Sequence, residues 1–339
     1  MTDSKDRVRF GVYLPAYHLP GERPPSARSL TAYAQRAEGL GFDSIWVIDH
    51  LFVSPPSYRV TFLEPLSVLA LAAAATERVR IGCGVLVLPL RDPVLTAKTL
   101  ATLDVVSEGR LVFGAGVGWA EAEFMACQID RSTRGRRMDE MLEIIRGLWT
   151  EDTFSYDGRF FQLTDVRLLP RPVQRPHPPI WLAAGSVPSG TSAHITERPR
   201  YRPERAIERV VKFGDALMSA YRSVPDGDTT WLRRDRATLD RLARDYGREP
   251  GEIAHTIQDH MYIRMDGSRA AMEQVVRRFT FRPFNEIAPY YLIGTPEEII
   301  PQIQARIDAG ISEIAINFID PDPAQLDLFA RHIRPHLSD

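Results

Sequence analysis

VRIGCGVLVLPL (79–90), RDPVLTAKTLATLDVVSEG (91–109) and RLVFGAGVGW (110–119) decide the architecture. The outer pieces are apolar, β-branched runs without polar alternation, the pattern of strands buried on both faces. The middle piece opens on Asp92-Pro93 and closes on Gly109. A carboxylate before the first turn accepts from free helix amides, proline suits the first helical position, and glycine takes the left-handed conformation that ends a helix. Strand, helix, strand without a hairpin turn is a parallel βαβ unit.

The same unit repeats outward. RFGVY (9–13) reads as a first strand, a helix face of Leu30, Tyr33, Ala34, Ala37 and Leu40 follows, and Asp43–Ile48 is the second strand, delivering Asp49-His50 at its C-terminal end. EPLSVLALAAAAT (64–76) is helix-forming, and Arg134–Trp149 is an amphipathic helix. Residues 150–179 depart from the rhythm: a hairpin turns on Asp157-Gly158, and a proline-rich connector follows. The strand PIWLAAGS (179–186) resumes it, and a polar, arginine-rich loop spans about 187–205. Further helices and strands lead to a Thr295/Glu298 capping box, a strand Glu313–Ile319 and a terminal helix, with Pro301 expected to bend the helix it sits in. About eight strands alternating with helices favour a closed α/β architecture, the (β/α)8 or TIM barrel, as a single domain over 1–339.

With 44% hydrophobic and 25% charged residues, the 339-residue chain can bury a large core. A net charge of −2 offers no basic excess, so no nucleic-acid partner is expected and a small-molecule partner is favoured. Two cysteines make neither a disulfide framework nor a metal site, the histidine spacings do not suit a metal, and no run approaches the ~18 apolar residues of a membrane span. A cytoplasmic protein without a metal or membrane is the expectation.

In such barrels active sites lie at the C-terminal strand ends, which nominates Asp49-His50, Gly84 to Leu88, Gly116 to Trp119, Ala184 to Ser186 and His260. GAGVGW would need a third glycine at 119 to be a dinucleotide fingerprint; Trp119 stands there, so that reading fails. Glycine-rich strand ends still let amides approach a phosphate, or simply make a tight turn. His50 can carry a proton near neutrality, or can be a structural histidine paired with a carboxylate. Arg198, Arg200, Arg202, Arg205 and Arg209 form a solvated lid or interface rim, or bind an anionic cofactor tail.

Four segments in order, 32–52 (AYAQRAEGLGFDSIWVIDHLF), 76–119, 158–163 with 170–186 (GRFFQL…PRPVQRPHPPIWLAAGS) and 293–314 (IGTPEEIIPQIQARIDAGISEI), resemble the luciferase-like monooxygenase family of flavin-type oxidoreductases. The resemblance implies a (β/α)8 barrel, a homodimer, and either the deazaflavin coenzyme F420, the preferred reading, or reduced FMN with oxygen. It implies that Asp49 and His50 contact the ring and reacting centre, and that Gly84-Val85 is a non-prolyl cis peptide behind the ring. It further implies that Gly116, Val117 and Gly118, with Ala184, Gly185 and Ser186, hold the cofactor's phosphate and side chain. Two features depart from the family's pattern: the insertion 187–203, and the absence of tryptophan from Leu51–Pro56, where sugar-phosphate dehydrogenase members have one. The expected activity is hydride transfer to or from a small organic substrate. The alternatives are an FMN-dependent monooxygenase and a non-catalytic flavin-binding barrel.

Overall fold

The computed structural model describes residues 7–53, 58–185, 203–219 and 228–338. Eight parallel strands close on themselves: β1 (Arg9–Tyr13), β2 (Ser44–Val47), β3 (Arg80–Cys83), β4 (Leu111–Gly116), β5 (Ile180–Ala184), β6 (Ala216–Ser219), β7 (Ala254–Ile263) and β8 (Glu313–Phe318). Each pairs with its neighbour in chain order, and β8 pairs back with β1, so the sheet has no edge. Around it lie α1 (Ala27–Gly39), α2 (Pro65–Ala75), α3 (Pro93–Val106), the short α4 (Glu121–Ala126), α5 (Arg134–Thr150), α6 (Pro203–Phe213), α7 (Thr230–Asp245), α8 (Arg269–Phe279), α9 (Pro296–Ile307) and α10 (Ala324–His332). This is the (β/α)8 barrel expected from the repeat.

The local signals act where the residues stand. Asp92 accepts from the amides of Val94 and Leu95 at 2.9 Å, and Gly109 ends the α3 segment at φ 81°. The Thr295/Glu298 capping box opens α9, and Pro301 lies inside that helix. The excursion folds as an antiparallel hairpin, Phe154–Asp157 with Gln162–Val166. Its connector is pinned by Asp104, buried in α3, whose carboxylate accepts from the amides of Val173 and Gln174 at 2.7 and 3.0 Å and from the Gln174 side chain at 2.6 Å. One expectation is corrected: the run 79–90 is not one strand. It breaks after Cys83, pairs again only over Leu86–Val87, and finishes as a 3-10 turn, Leu88–Leu90. Side-chain partners draw the backbone out of the ladder here, since Tyr13 Oη donates to the Gly84 carbonyl at 3.0 Å and the Val87 amide donates to Asp49 at 2.8 Å.

Inside the barrel, large side chains fit because facing strands carry glycine. Tyr13, Trp46, Val112, Trp181 and Met218 form the internal cluster, with the two indole rings 5.0 Å apart. A Cβ on Gly11 would lie 2.5 Å from Trp46 Nε1, and one on Gly82 would lie 2.5 Å from the same ring. At the N-terminal end of the strands, Glu313 accepts from Ser44 Oγ at 2.5 Å and pairs with Arg80, and Ser44 accepts from Trp46 Nε1 at 2.7 Å. A buried carboxylate, a guanidinium and two indoles thus plug the floor, leaving the C-terminal ends of the strands for chemistry.

Candidate active site

The two polar residues that follow β2 have different tasks. Asp49, 4% exposed, bonds the Val87 amide at 2.8 Å and Arg91 at 3.1 Å, tying the end of β2 to the broken segment after β3. Burial raises its carboxyl pKa above the usual value, against the opposing pull of Arg91 and the Val87 amide. His50 instead enters an aromatic enclosure, with ring centroids 5.3 Å from Trp119, 5.6 Å from Tyr58 and 5.8 Å from Phe62.

Behind His50 stands a residue that no spacing singled out. Glu123, on α4 and 1% exposed, has its Oε1 3.0 Å from His50 Nδ1 and accepts from the Leu51 amide at 2.8 Å. An ionised carboxylate only accepts, so it fixes the His50 tautomer with Nδ1 protonated and leaves Nε2 as the working nitrogen. The second carboxylate oxygen of Glu123 is buried with no partner among the described residues. Glu121, two positions earlier in the same acidic turn, is exposed, and only the fold distinguishes the two.

The Gly84-Val85 peptide is cis. Val85 lies half-buried at the mouth beside Ile48, over Tyr13 and Trp46. The nominated glycines have a packing reason: a Cβ on Gly116 would lie 2.5 Å from Val85 Cγ2, and one on Gly118 would lie 2.4 Å from Val87 Cγ1. They let the end of β4 close against Val85–Val87. Across the mouth, Ala183 and Ala184 are half-buried, and a Cβ on Gly185 would lie 2.7 Å from Asp235 Oδ2. Ser186 lies outside the described residues, as do Arg198, Arg200 and Arg202. Arg209 is drawn into an ion pair with Asp139, and Arg205 is exposed on α6.

His260 joins the far wall, fully buried, stacked 4.5 Å from Tyr291 and edge-on to Phe279 at 5.2 Å. Phe279 and Tyr291 belong, with Tyr58, Tyr262, Met272 and Ile287, to a second hydrophobic cluster. Among the described residues, no group of three or more His, Cys, Asp or Glu is placed to hold a metal ion.

A mouth with a shallow aliphatic platform of Ile48, Val85, Ala183 and Ala184 suits a flat ring, and the His50–Glu123 pair beside it can hold or move a proton. The class so defined is a barrel oxidoreductase working with a bound flavin-type ring. The chain belongs to the luciferase-like monooxygenase family, whose sequence model matches residues 8–195. It is 35% identical over 320 residues to an F420-dependent glucose-6-phosphate dehydrogenase of Kineococcus radiotolerans, covering 91% of this chain and 92% of that one. Over 289 residues it is 26% identical to an FMNH(2)-dependent dimethylsulfone monooxygenase of Pseudomonas putida, covering 80% and 78%. Among solved structures it superposes on the monooxygenase RslO1 of Streptomyces bottropensis with a TM-score of 0.77 at 26% identity, covering 97% and 99%.

Proposed function

We propose that this chain is an oxidoreductase that binds coenzyme F420 and transfers hydride to or from a small organic substrate. The observation that carries the reading is the His50–Glu123 pair, 3.0 Å apart, set in an aromatic enclosure at the barrel mouth. When bound, the deazaflavin supplies or takes the hydride. The chain supplies the rest: Val85 and Ile48 support the ring face, Gly116 to Gly118 and Ala184, Gly185 and Ser186 hold its side chain, and Asp49 positions the segment carrying Val85. His50 Nε2 accepts the substrate's proton as hydride leaves carbon, and returns it in the reverse direction. Trp119, Tyr58 and Phe62 around the His50 ring match an uncharged organic substrate better than a sugar phosphate, whose dianion needs cationic donors.

The preference for F420 follows the 35% identity over 91% of the chain to the Kineococcus dehydrogenase. The second reading, an FMN-dependent monooxygenase, is favoured by the likeness to RslO1 over 97% of the chain. Fluorescence titration with each cofactor separates them: tight binding of F420 and weak binding of FMN is the expected result. Oxygen-dependent turnover with reduced FMN and no F420 binding would reverse the assignment.

A homodimer in a reducing cytoplasm completes the proposal. Cys83 and Cys127 are free, and α3 presents Leu95 and Val106 to solvent, 70% and 58% exposed, beside the apolar α2. Sedimentation of the purified protein is expected to give twice the 38.3 kDa chain mass, and a monomer at micromolar concentration removes the dimer.

A further inference from the structure

β7 presents different chemistry on its two faces. Ile257 and Met261 belong to the core under the helices, and Asp259 pairs with Arg306 of α9 at 2.6 Å. Side chains alternate along a strand, so Thr256, Gln258 and His260 point the other way, into the lumen. The register agrees: Gln258 stands beside Ala315 of β8, a member of the internal cluster with Tyr13 and Trp46, and His260 stands beside Asn317. One step below, Glu313 is already held by Ser44 and Arg80.

The two carboxamides above it are not so committed. Asn317, 1% exposed, sets Nδ2 3.3 Å from His260 Nε2. An amide nitrogen only donates, so the ring nitrogen accepts and Asn317 keeps Oδ1 as an acceptor. Among the described residues Oδ1 makes no hydrogen bond, and neither does the side-chain amide of Gln258, a residue 7% exposed. A buried carboxamide in that position is costly until a polar group bonds it. Its register neighbours Gly11 and Ala315 carry no charge and little bulk. Two carbonyl oxygens and one amino group complement a neutral group that both donates and accepts, a hydroxyl or a carboxamide; a carboxylate or phosphate only accepts and opposes both oxygens. Ring contacts lead there from His50, with Tyr58 5.6 Å from His50 and 5.6 Å from Phe279, and Phe279 5.2 Å from His260.

We propose that Gln258 and Asn317 form a subsite inside the barrel for an uncharged hydroxyl or carboxamide on the substrate, at the end remote from the carbon that reacts beside His50. The inference rests on the oxidoreductase reading above and adds the chemistry of the substrate's second polar group.

Benzamide and benzoate, which share a ring and differ in the polar group, are the probes, titrated into the intact protein and followed by ligand-observed NMR. Benzamide is expected to bind about tenfold more tightly, the scale of two neutral hydrogen bonds. The Q258M variant, apolar and of the same length, loses about three- to tenfold in benzamide affinity and leaves benzoate unchanged. Its F420 affinity stays within about threefold of wild type, which also shows that it is folded. In wild-type protein carrying 15N in its glutamine side chains, benzamide shifts one side-chain amide signal that benzoate leaves in place, a measurement that needs no variant to fold. Equal affinities of the two probes for the wild-type protein overturn the inference, as does a Q258M protein that keeps the preference for benzamide. Failure of the wild-type protein to bind F420 removes the cofactor reading instead, and the benzamide measurements still decide the subsite.

Discussion

Replacing His50 with alanine is expected to lower turnover by roughly 10²- to 10⁴-fold, the range of general acid–base contributions, while cofactor affinity stays within a few-fold. In the proposed reading the ring would rest on Ile48 and Val85, which pack against the cluster of Tyr13 and Trp46 and are left in place by this substitution. Glu123→Gln carries the companion measurement. Its amide can still accept from the Leu51 amide, so the local fold has its anchor, but the charge that fixes the His50 tautomer is gone. Turnover is expected to fall by about ten- to a hundredfold, the scale seen when the orienting partner of a functional histidine is removed. The pH–rate profile should move with it, which a purely structural change would not produce. Unchanged turnover in H50A, or an unmoved pH profile in E123Q, would remove the proton-carrying role.

Gly114→Ala is expected to be the most damaging single-methyl change in the barrel. The added Cβ would sit 1.9 Å from the carbonyl oxygen of Cys83, a backbone atom of the neighbouring strand with no rotamer to turn. β3 and β4 must then part at the point where Gly84 and Val85 follow, so the fold and the proposed cofactor platform are disturbed together. A loss of about 3 kcal/mol or more in urea unfolding is expected, beyond ordinary overpacking, with a weakened affinity for cofactor. Gly39→Ala, in a helix where a Cβ meets nothing within 4 Å, is the control and should be neutral or mildly stabilising. A Gly114→Ala protein as stable as the control would show that the strands adjust freely.

What could be seen in advance divides by the range of the cause. Asp92, Pro93, Gly109 and the Thr295/Glu298 pair act within one turn of chain, and the helices they bound stand where the residues say. The strand count followed from the same local alternation. The break after Cys83 was hidden from the apolar pattern because its causes, Tyr13 and Asp49, arrive from β1 and the end of β2. Glu123 was hidden for a related reason: an acidic residue in a short helix resembles its exposed neighbour Glu121 until the fold carries it 73 positions back to His50. Asp104 reads as an unremarkable polar position in α3, yet it is fully buried and holds the connector of the excursion. Strand-end position located the mouth of the site, and tertiary packing chose which side chains face into it.

The plugged floor has a further meaning for traffic. With Trp46, Trp181 and the Glu313–Arg80 pair filling the lumen, the barrel is a cup and not a tube. Among the described residues the lumen is closed at that end, so in the proposed reading substrate and cofactor would share the opening at the C-terminal strand ends. In that reading, whichever of the two lies deeper would go in first and come out last.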